Sequence, residues 1–545
     1  MGSFRLLVTD EIDSDGVDLL RAEPSFVVDE VPTPKPADLL EKIGEYDAFV
    51  GRSATRLPAE VLQRATKLRV IGRAGVGTDN IDIPAATQLG IAIINAPGGN
   101  TVAVAELFFG TLIGLVRHLP DASASMRAGK WDRSKLLGTE LRGRSLGIVG
   151  LGRIGGEVAL RARAFGMSLC AYDPYVTDER FDMLRVSRAK SLQDLLKASD
   201  VVTVHTPLNP ETTGMIGANE IGVLKRGSII ANLARGGIVE EKALTDALES
   251  GFLGGAILDV YTQEPLDPAS ALRILPNVVL TPHLGASTAE GQHNVAVDVC
   301  AAVRDALLSG ELSRAINVVG GLDGRWDEIR PALVLARRMA AIGRAILADR
   351  GSRAVDSISL RLGRDLTEAG NLLVASAAAG ALDSIIDGVR LNLVNARALA
   401  ENRGIALSVA TSHSEPDNGA QVTVRCGRNE VVIAGVAPAG SGPRLTRIDG
   451  FIVDVTPRRT LLVLTNADVP GVIGRVGTLL GDAKVNIAEY HQARLTRGGD
   501  ALAAVSVDGE ITEPVRQKLL KLPDIKSATA IDFIRLDAAG EEVWT

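Results

Sequence analysis

The chain has 545 residues, 46% of them apolar and only 3% aromatic, with a formal net charge of −7. Its size predicts roughly three or four domains with cores of Ala, Val, Leu and Ile, and its apolar content excludes a disordered polypeptide. The acidic balance and the lack of a dense Lys/Arg run exclude a broad nucleic-acid footprint, so an anionic ligand has to be met by local arginines.

Residues 1–98 alternate short apolar runs with helical stretches. The runs are Leu6–Val8, Phe26–Val28, Ala48–Val50, Val70–Ile71 and Ile91–Ile94, a rhythm that predicts a small parallel α/β unit. The chain enters Phe4–Val8 at once, without the charged start, apolar stretch and cleavage site of a signal peptide. Val102–Val116, the most membrane-like stretch, contains Glu106 and is too short to span, so no membrane partner is expected. Cys170, Cys300 and Cys426 stand far apart with no C-x-x-C spacing, which speaks against a disulfide framework or a metal site and for a reduced, cytoplasmic setting.

After Asn100-Thr101, read as a helix cap, an apolar helix runs to His118, and Leu141 to Gly150 has the pattern of a turn feeding a strand. A second α/β unit follows, with strands near Leu146–Val149, Ser168–Tyr172, Val201–His205, Ser228–Asn232, Gly255–Asp259 and Val278–Thr281. The segment after His283, with Ser287 and Thr288 as caps, reads as a helix to about Ser309 that returns to the first unit. Beyond Asn317–Gly321, Arg-containing helices to about Asp349 and Gly/Pro-punctuated strands from Gln421 to Val455 predict an α+β domain. The tail fits β-α-β-β-α-β: Thr460–Thr465, Gly471–Asp482, Ile487–Leu495, Leu502–Val507, Glu513–Leu522 and Ala528–Phe533, a ferredoxin-like order. The expected domains are 1–98 with 285–317, then 99–284, 318–456 and 457–545.

Gly150-Leu151-Gly152-Arg153-Ile154-Gly155 follows an apolar strand and opens a helix, the context that a dinucleotide fingerprint demands. The first glycine permits the turn, the second lets backbone approach a pyrophosphate, and the third lets helix pack on strand. Asp173 lies 18 residues past Gly155 at the end of the next strand, where a carboxylate accepts both ribose hydroxyls and repels a 2′-phosphate; this predicts NAD. Arg153 either neutralises the pyrophosphate or is solvated.

There are six histidines. His118 ends a helix, His293 lies inside one, His413 falls in a polar loop and His491 in the C-terminal domain, whereas His205 and His283 close strands of the second unit. His283 stands at the carboxyl edge, where open α/β sheets bind ligands. An imidazole can take a hydroxyl proton while hydride leaves the same carbon, Glu264 can orient it, and Arg235 can hold a carboxylate with its planar fork. The bland alternatives are a helix-capping Arg235, a solvated Glu264 and a satisfied loop histidine.

Several segments resemble the D-isomer-specific 2-hydroxyacid dehydrogenase family: Arg73-Ala74-Gly75-Val76-Gly77-Thr78-Asp79-Asn80, the Gly150–Gly155 run, His205-Thr206-Pro207-Leu208, Ala234-Arg235-Gly236-Gly237, Leu258-Asp259-Val260 and Pro282-His283-Leu284-Gly285. With its C-terminal extension the whole chain looks like a long form of that family. The resemblance implies two doubly wound parallel-sheet units, a Rossmann-type cofactor domain and a flavodoxin-like substrate domain, followed by an α+β intervening domain and a ferredoxin-like ACT domain. It implies Arg235, Glu264 and His283 as catalytic residues. It implies NAD contacts at Val76, Gly150, Gly152, Arg153, Ile154, Gly155, Asp173, Thr206, Pro207, Leu233, Ala234, Arg235, Asp259, His283 and Gly285, and no metal.

The same resemblance places 3-phosphoglycerate against Arg52, Ser53, Arg73, Gly75 and Asn100. Arg52 and Arg73 each follow an apolar strand, so they could meet a phosphate. The implied reaction is oxidation of 3-phospho-D-glycerate to 3-phosphohydroxypyruvate, the first step towards serine. In the tail, Asp468-Val469-Pro470-Gly471 could take a carboxylate on its amides with Asp468 placed for an amine, and Asn486 matches the family's serine-contacting asparagine. Asn466 stands where some relatives carry histidine, and Asp468 replaces an asparagine, departures that weaken the case for L-serine as effector. Arg444 and Arg447 mark either an anion site or a solvated face. A homo-oligomer, a dimer of dimers, is expected. Two other readings share these residues: a dehydrogenase for another D-2-hydroxy acid (glycerate, lactate or 2-hydroxyglutarate), and an NAD-sensing, corepressor-like binding protein. Formate dehydrogenases of this superfamily carry glutamine where Glu264 stands.

Overall fold

The computed structural model describes residues 3–320, 325–383, 385–386, 390–438, 442–496, 498–533, 535–536 and 542–543. They form two compact units, one of residues 1–73, 77–95 and 299–545 and one of residues 74–76 and 96–298.

In the larger unit, strands β1 (Phe4–Val8), β2 (Phe26–Glu30), β3 (Ala48–Gly51), β4 (Val70–Arg73) and β5 (Ala92–Asn95) make a parallel sheet in the order β2-β1-β3-β4-β5. That is the flavodoxin-like order, with its switch point between β1 and β3. β3 is buried along its whole length, as expected of a parallel strand covered on both faces. The returning helix, Ala289–Ser309, is capped by Thr288, whose hydroxyl accepts from Gly291 N at 3.0 Å. Its Val303 packs so closely on Gly72 that an added Cβ there would stand 2.6 Å away. Ala315 then bridges Ile94, and Asn317 accepts from Ile93 N at 2.9 Å while donating to Ile91 O at 2.9 Å.

In the smaller unit, β6 (Ser145–Val149), β7 (Ser168–Tyr172), β8 (Ser187–Arg188), β9 (Val201–Val204), β10 (Ile229–Asn232), β11 (Gly255–Leu258) and β12 (Val278–Leu280) form a parallel sheet in the order β12-β11-β10-β9-β6-β7-β8. This is a Rossmann arrangement whose order reverses between β6 and β9. β8, two exposed residues at the edge, carries no apolar run by which it could be read. Two local expectations need correction. Asn100 makes no side-chain cap, and the helix it precedes, Thr101–Val116, stops before His118, which adopts φ +53° and starts a second helix, Leu119–Arg127, with no buried residue. Among the described residues no single helix is long and apolar enough to cross a membrane.

The rest of the larger unit begins with helix Trp326–Asp349, which packs on helix Gly370–Leu382 and on a mixed sheet. The sheet joins β13 (Ser357–Leu362), β14 (Ala406–Thr411), β15 (Gly419–Cys426), β16 (Asn429–Val436), β17 (Arg444–Ile448) and β18 (Phe451–Val455) in the order β14-β13-β15-β16-β17-β18, with β13 and β14 parallel and the other pairs antiparallel. Arg444 is engaged by Asp454, Thr456 Oγ1 at 2.9 Å and Glu489 at 3.5 Å, and Arg447 by Gln421 and by Glu415 at 3.7 Å. Of the two readings open for these arginines, this favours neither a free anion site nor a merely solvated face: both brace their own surroundings.

The tail gives β19 (Thr460–Ala467), β20 (Ile487–Arg494), β21 (Asp500–Val507) and β22 (Ile525–Asp532), antiparallel in the order β20-β21-β19-β22, with helices Val472–Asp482 and Glu513–Leu520 interspersed. This is the ferredoxin-like βαββαβ order. One sheet face packs Leu462, Leu464 and Val505 beneath those helices, and the other contributes Leu461, Val463 and Ala504 to the core that also holds Met339, Val424 and Ile433. A short pair, β23 (Arg535–Leu536) and β24 (Glu542–Val543), follows.

Candidate active site

The fingerprint loop is built as its glycines demand. Gly150 sits at φ +93°, and a Cβ on it would lie 2.6 Å from His205 O, while a Cβ on Gly155 would collide with Gly150 O. Gly152 opens helix Arg153–Ala164 with no side-chain cap and with empty space where its Cβ would stand. The helix N–H groups are thus left available to an anion. The Arg153 side chain reaches across to the segment that precedes helix Thr101–Val116, its Nη1 lying 3.8 Å from where a Cβ of Gly98 would be. Beside Gly150, the hydroxyl of Thr206 is buried with no hydrogen-bond partner among the described residues, which fits a polar ligand at this edge. Asp173 ends β7, its carboxylate accepting from Leu151 N at 2.8 Å and Tyr175 N at 2.9 Å. Arg180 braces the loop from outside by donating to Gly152 O at 3.0 Å. These residues fit NAD, with a helix start that carries no side-chain cap for an anion and the Asp173 carboxylate at the end of the next strand for a hydroxyl-bearing group.

The three candidate catalytic side chains lie on loops that follow β10, β11 and β12. Arg235 belongs to a turn organised by buried Asn232, whose side chain donates to Arg235 O at 2.8 Å and accepts from Ala234 N at 3.1 Å. Gly236 is seated directly on the backbone of Tyr261 and Thr262, with no room for a side chain. Tyr261 in turn links the other two loops: its N–H donates to Glu264 Oε1 at 3.1 Å, and its phenol, pushed up to about 12 chiefly by burial, donates to Thr281 O at 2.9 Å. Glu264 Oε2 then stands 2.8 Å from His283 Nδ1, both side chains remaining solvent-accessible, at 38% and 48% exposed. The loops of Arg235, Glu264 and His283 therefore form one continuous set of contacts.

His283 itself occupies φ +56°, a left-handed conformation unusual for a non-glycine residue. Asp259, 1% exposed, supports it by accepting from the Thr281 hydroxyl, from Leu284 N at 2.7 Å and from Gly285 N at 2.8 Å. His205, by contrast, is half-buried: Nε2 meets Thr203 Oγ1 at 2.9 Å, Phe108 packs edge-on against the ring, and burial pushes its pKa down to about 3. An imidazole held neutral in this way is a poor general base. Leu233 is buried, Val76, Ile154 and Ala234 are half-buried, and Pro207 is exposed.

Gly75 belongs to this unit, its carbonyl accepting from Ala96 N at 3.0 Å, as does Asn100. Arg52, Ser53 and Arg73 belong to the other unit, at the ends of β3 and β4. In the tail, Asn466 is buried and donates to Ala467 O at 2.7 Å, Asn486 donates to Asp508 at 2.6 Å, and Asp468 accepts from Gly498 N at 3.1 Å with Arg494 at 3.3 Å. Asn232, Tyr261 and Arg180 had not stood out in the sequence. An asparagine closing an apolar strand just before the Ala-Arg-Gly-Gly turn was the one available signal.

Residues 109–285 match the NAD-binding domain of the D-isomer specific 2-hydroxyacid dehydrogenases, and residues 460–524 match the ACT domain. The chain is 38% identical over 531 residues to a D-3-phosphoglycerate dehydrogenase of Synechocystis sp., covering 97% of this chain and 94% of that protein. A D-3-phosphoglycerate dehydrogenase of Bacillus subtilis is 37% identical over 533 residues, covering 97% and 100%. Among solved structures, D-lactate dehydrogenase from Aquifex aeolicus, complexed with NAD and lactic acid, matches at a TM-score of 0.51 and 27% identity, over 57% of this chain and 97% of that one. The chain belongs to the D-isomer specific 2-hydroxyacid dehydrogenase family, as an NAD-dependent oxidoreductase that carries an ACT domain.

Proposed function

We propose that this protein oxidises 3-phospho-D-glycerate to 3-phosphohydroxypyruvate at C2, the entry step of serine synthesis from a glycolytic acid. The observation that carries the chemistry is the 2.8 Å contact between His283 Nδ1 and Glu264 Oε2. With the imidazole proton drawn to Nδ1, the Nε2 lone pair is free to take the substrate hydroxyl proton. Arg235 holds the substrate carboxylate and polarises the C2 oxygen as it becomes a carbonyl. NAD, when bound, accepts the hydride that leaves C2. The substrate assignment rests on relatives that match along almost the whole chain and are D-3-phosphoglycerate dehydrogenases. Arg52, Ser53 and Arg73 supply the phosphate contacts, with Gly75 and Asn100 completing the substrate set.

The ACT domain makes the enzyme responsive to a small molecule; we assign L-serine to it, through Asn466, Asp468 and Asn486. The assembly is a homo-oligomer, a dimer of dimers, in a cytoplasmic setting that suits three cysteines none of which is paired. The test is steady-state NADH formation from purified protein with 3-phospho-D-glycerate, D-glycerate, D-lactate and 2-hydroxyglutarate, with and without L-serine. The phosphorylated acid should give the highest kcat/KM, and serine should lower its rate. Equal or better turnover of an unphosphorylated acid would refute the substrate, and absence of turnover with every acid would favour a binding protein.

A further inference from the structure

We propose that Asp10 and Asn80 are positioning residues that hold the Arg52–Thr55 loop in the shape needed to bind the substrate phosphate; this rests on the role given above to Arg52 and Ser53. Asp10 follows β1 and is only 7% exposed, yet its carboxylate is ringed by donors from distant parts of the chain. Oδ2 accepts from Arg52 N at 2.9 Å and from Thr55 N at 3.0 Å, and Oδ1 accepts from the Thr55 hydroxyl at 2.6 Å and the Thr33 hydroxyl at 2.8 Å. Asn80 meets the opposite polarity of the same two residues, its Nδ2 donating to Arg52 O at 2.9 Å and to Thr55 O at 2.7 Å. Acid and amide together take up the N–H and C=O groups of both residues that bracket Ser53. The backbone between them is fixed at each end.

The carboxylate is the side chain suited to this arrangement, since four donors need two oxygens with four lone pairs. The backbone bears a further mark of over-determination. Asp10 sits at φ +66° and Glu11 at φ +52°, two successive non-glycine residues in the left-handed region. Such conformations cost free energy and persist where surrounding hydrogen bonds enforce them, and they gather at functional sites. The two side chains meet the backbone groups of Arg52 and Thr55, so their effect passes through where the Arg52 and Ser53 side chains start from the backbone.

The experiment compares Asp10→Ala, Asp10→Asn and Asn80→Ala with Arg52→Ala in the full-length enzyme, measuring kcat, KM for 3-phospho-D-glycerate and KM for NAD. Asp10→Ala and Asn80→Ala should each raise the phosphoglycerate KM about tenfold or more while moving kcat and the NAD KM less than about threefold. Asp10→Asn should remain within about threefold of wild type, because its carbonyl can still accept the two backbone N–H groups while the threonine hydroxyls rotate to accept from its amide. The Asp10→Ala, Arg52→Ala double variant should be no worse than the poorer single one, the non-additivity expected of groups acting through one contact. Independently of turnover, the amides of Arg52 and Thr55 should lose hydrogen-exchange protection in Asp10→Ala. If Arg52→Ala raises the KM but Asp10→Ala and Asn80→Ala do not, the clamp is overturned and the phosphate reading stands. If Arg52→Ala leaves the KM unmoved, the phosphate reading fails. A loss in Asp10→Ala that falls equally on kcat, NAD binding and substrate would show a structural role only. Asn80→Ala, which leaves the acid in place, serves if Asp10→Ala does not fold.

Discussion

Replacing Gly236 by alanine separates the position of Arg235 from its chemistry. The added Cβ would overlap the Tyr261 carbonyl and lie 2.6 Å from Thr262 N, inside the 3.0 Å that real Cβ atoms keep from such neighbours. The three nearest atoms are all backbone, so no side chain among them can swing away, and the Arg235 turn has to retreat from the Tyr261 loop by about 1 Å. That retreat pulls on both members of the His283–Glu264 pair, because Glu264 is held by Tyr261 N at 3.1 Å. A displacement of this size at a reacting constellation costs about 10²-fold in rate, and the overpacking costs about 1–3 kcal/mol of stability. The assay is initial-rate NADH formation, paired with NADH binding followed by fluorescence and a thermal melt. The expected result is a kcat down by about two orders of magnitude, an NADH affinity lowered by far less, and a melt lowered by a few degrees. A Gly236→Ala enzyme whose kcat stays within about twofold of wild type would show that the spacing of these loops is not what sets the rate.

Three further outcomes follow from the same geometry. His283→Ala should lower kcat by about 10²–10⁴-fold with little change in NADH binding, and a rate within about threefold of wild type would remove His283 as the proton acceptor. Asp173→Ala should raise the KM for NAD about tenfold and narrow the preference over NADP; an unchanged NAD to NADP ratio would leave Asp173 as a turn residue held by Leu151 N and Tyr175 N. For His205, burial lowers the folded-state pKa to about 3, whereas an unfolded-chain imidazole titrates near 6.5. Between those values the unfolded state binds the extra proton, so stability is full above about pH 6.5 and declines as pH falls, by up to about 1.4 kcal/mol per unit. His205→Gln should therefore melt with less sensitivity to pH between about 7 and 5 than wild type, and identical sensitivity would mean that the ring is hydrated in solution.

Much of the architecture was legible because its signals are local. The apolar runs at Phe4–Val8, Val201–Val204 and Gly255–Leu258 are short and separated by helical stretches, so strand, helix and parallel order follow from patterns within a few residues. The fingerprint at Gly150–Gly155 and the acid at Asp173 likewise work through a turn, a helix start and the next strand. The edge strand Ser187–Arg188 and the exposed helix Leu119–Arg127 escaped because neither buries a face that would leave an apolar period.

The chemistry of the trio could be guessed from residue type, but its geometry could not. That Glu264 meets His283 and that Asp259 sustains a left-handed His283 depend on contacts between separate loops. The Asp10 clamp shows the limit most plainly, since its partners Arg52 and Thr55 lie 42 and 45 residues away along the chain. Periodicity and motif spacing report on neighbours in sequence. Which buried carboxylate takes which distant amide is decided only when the sheet closes, because only then does leaving those groups unpaired away from water become costly.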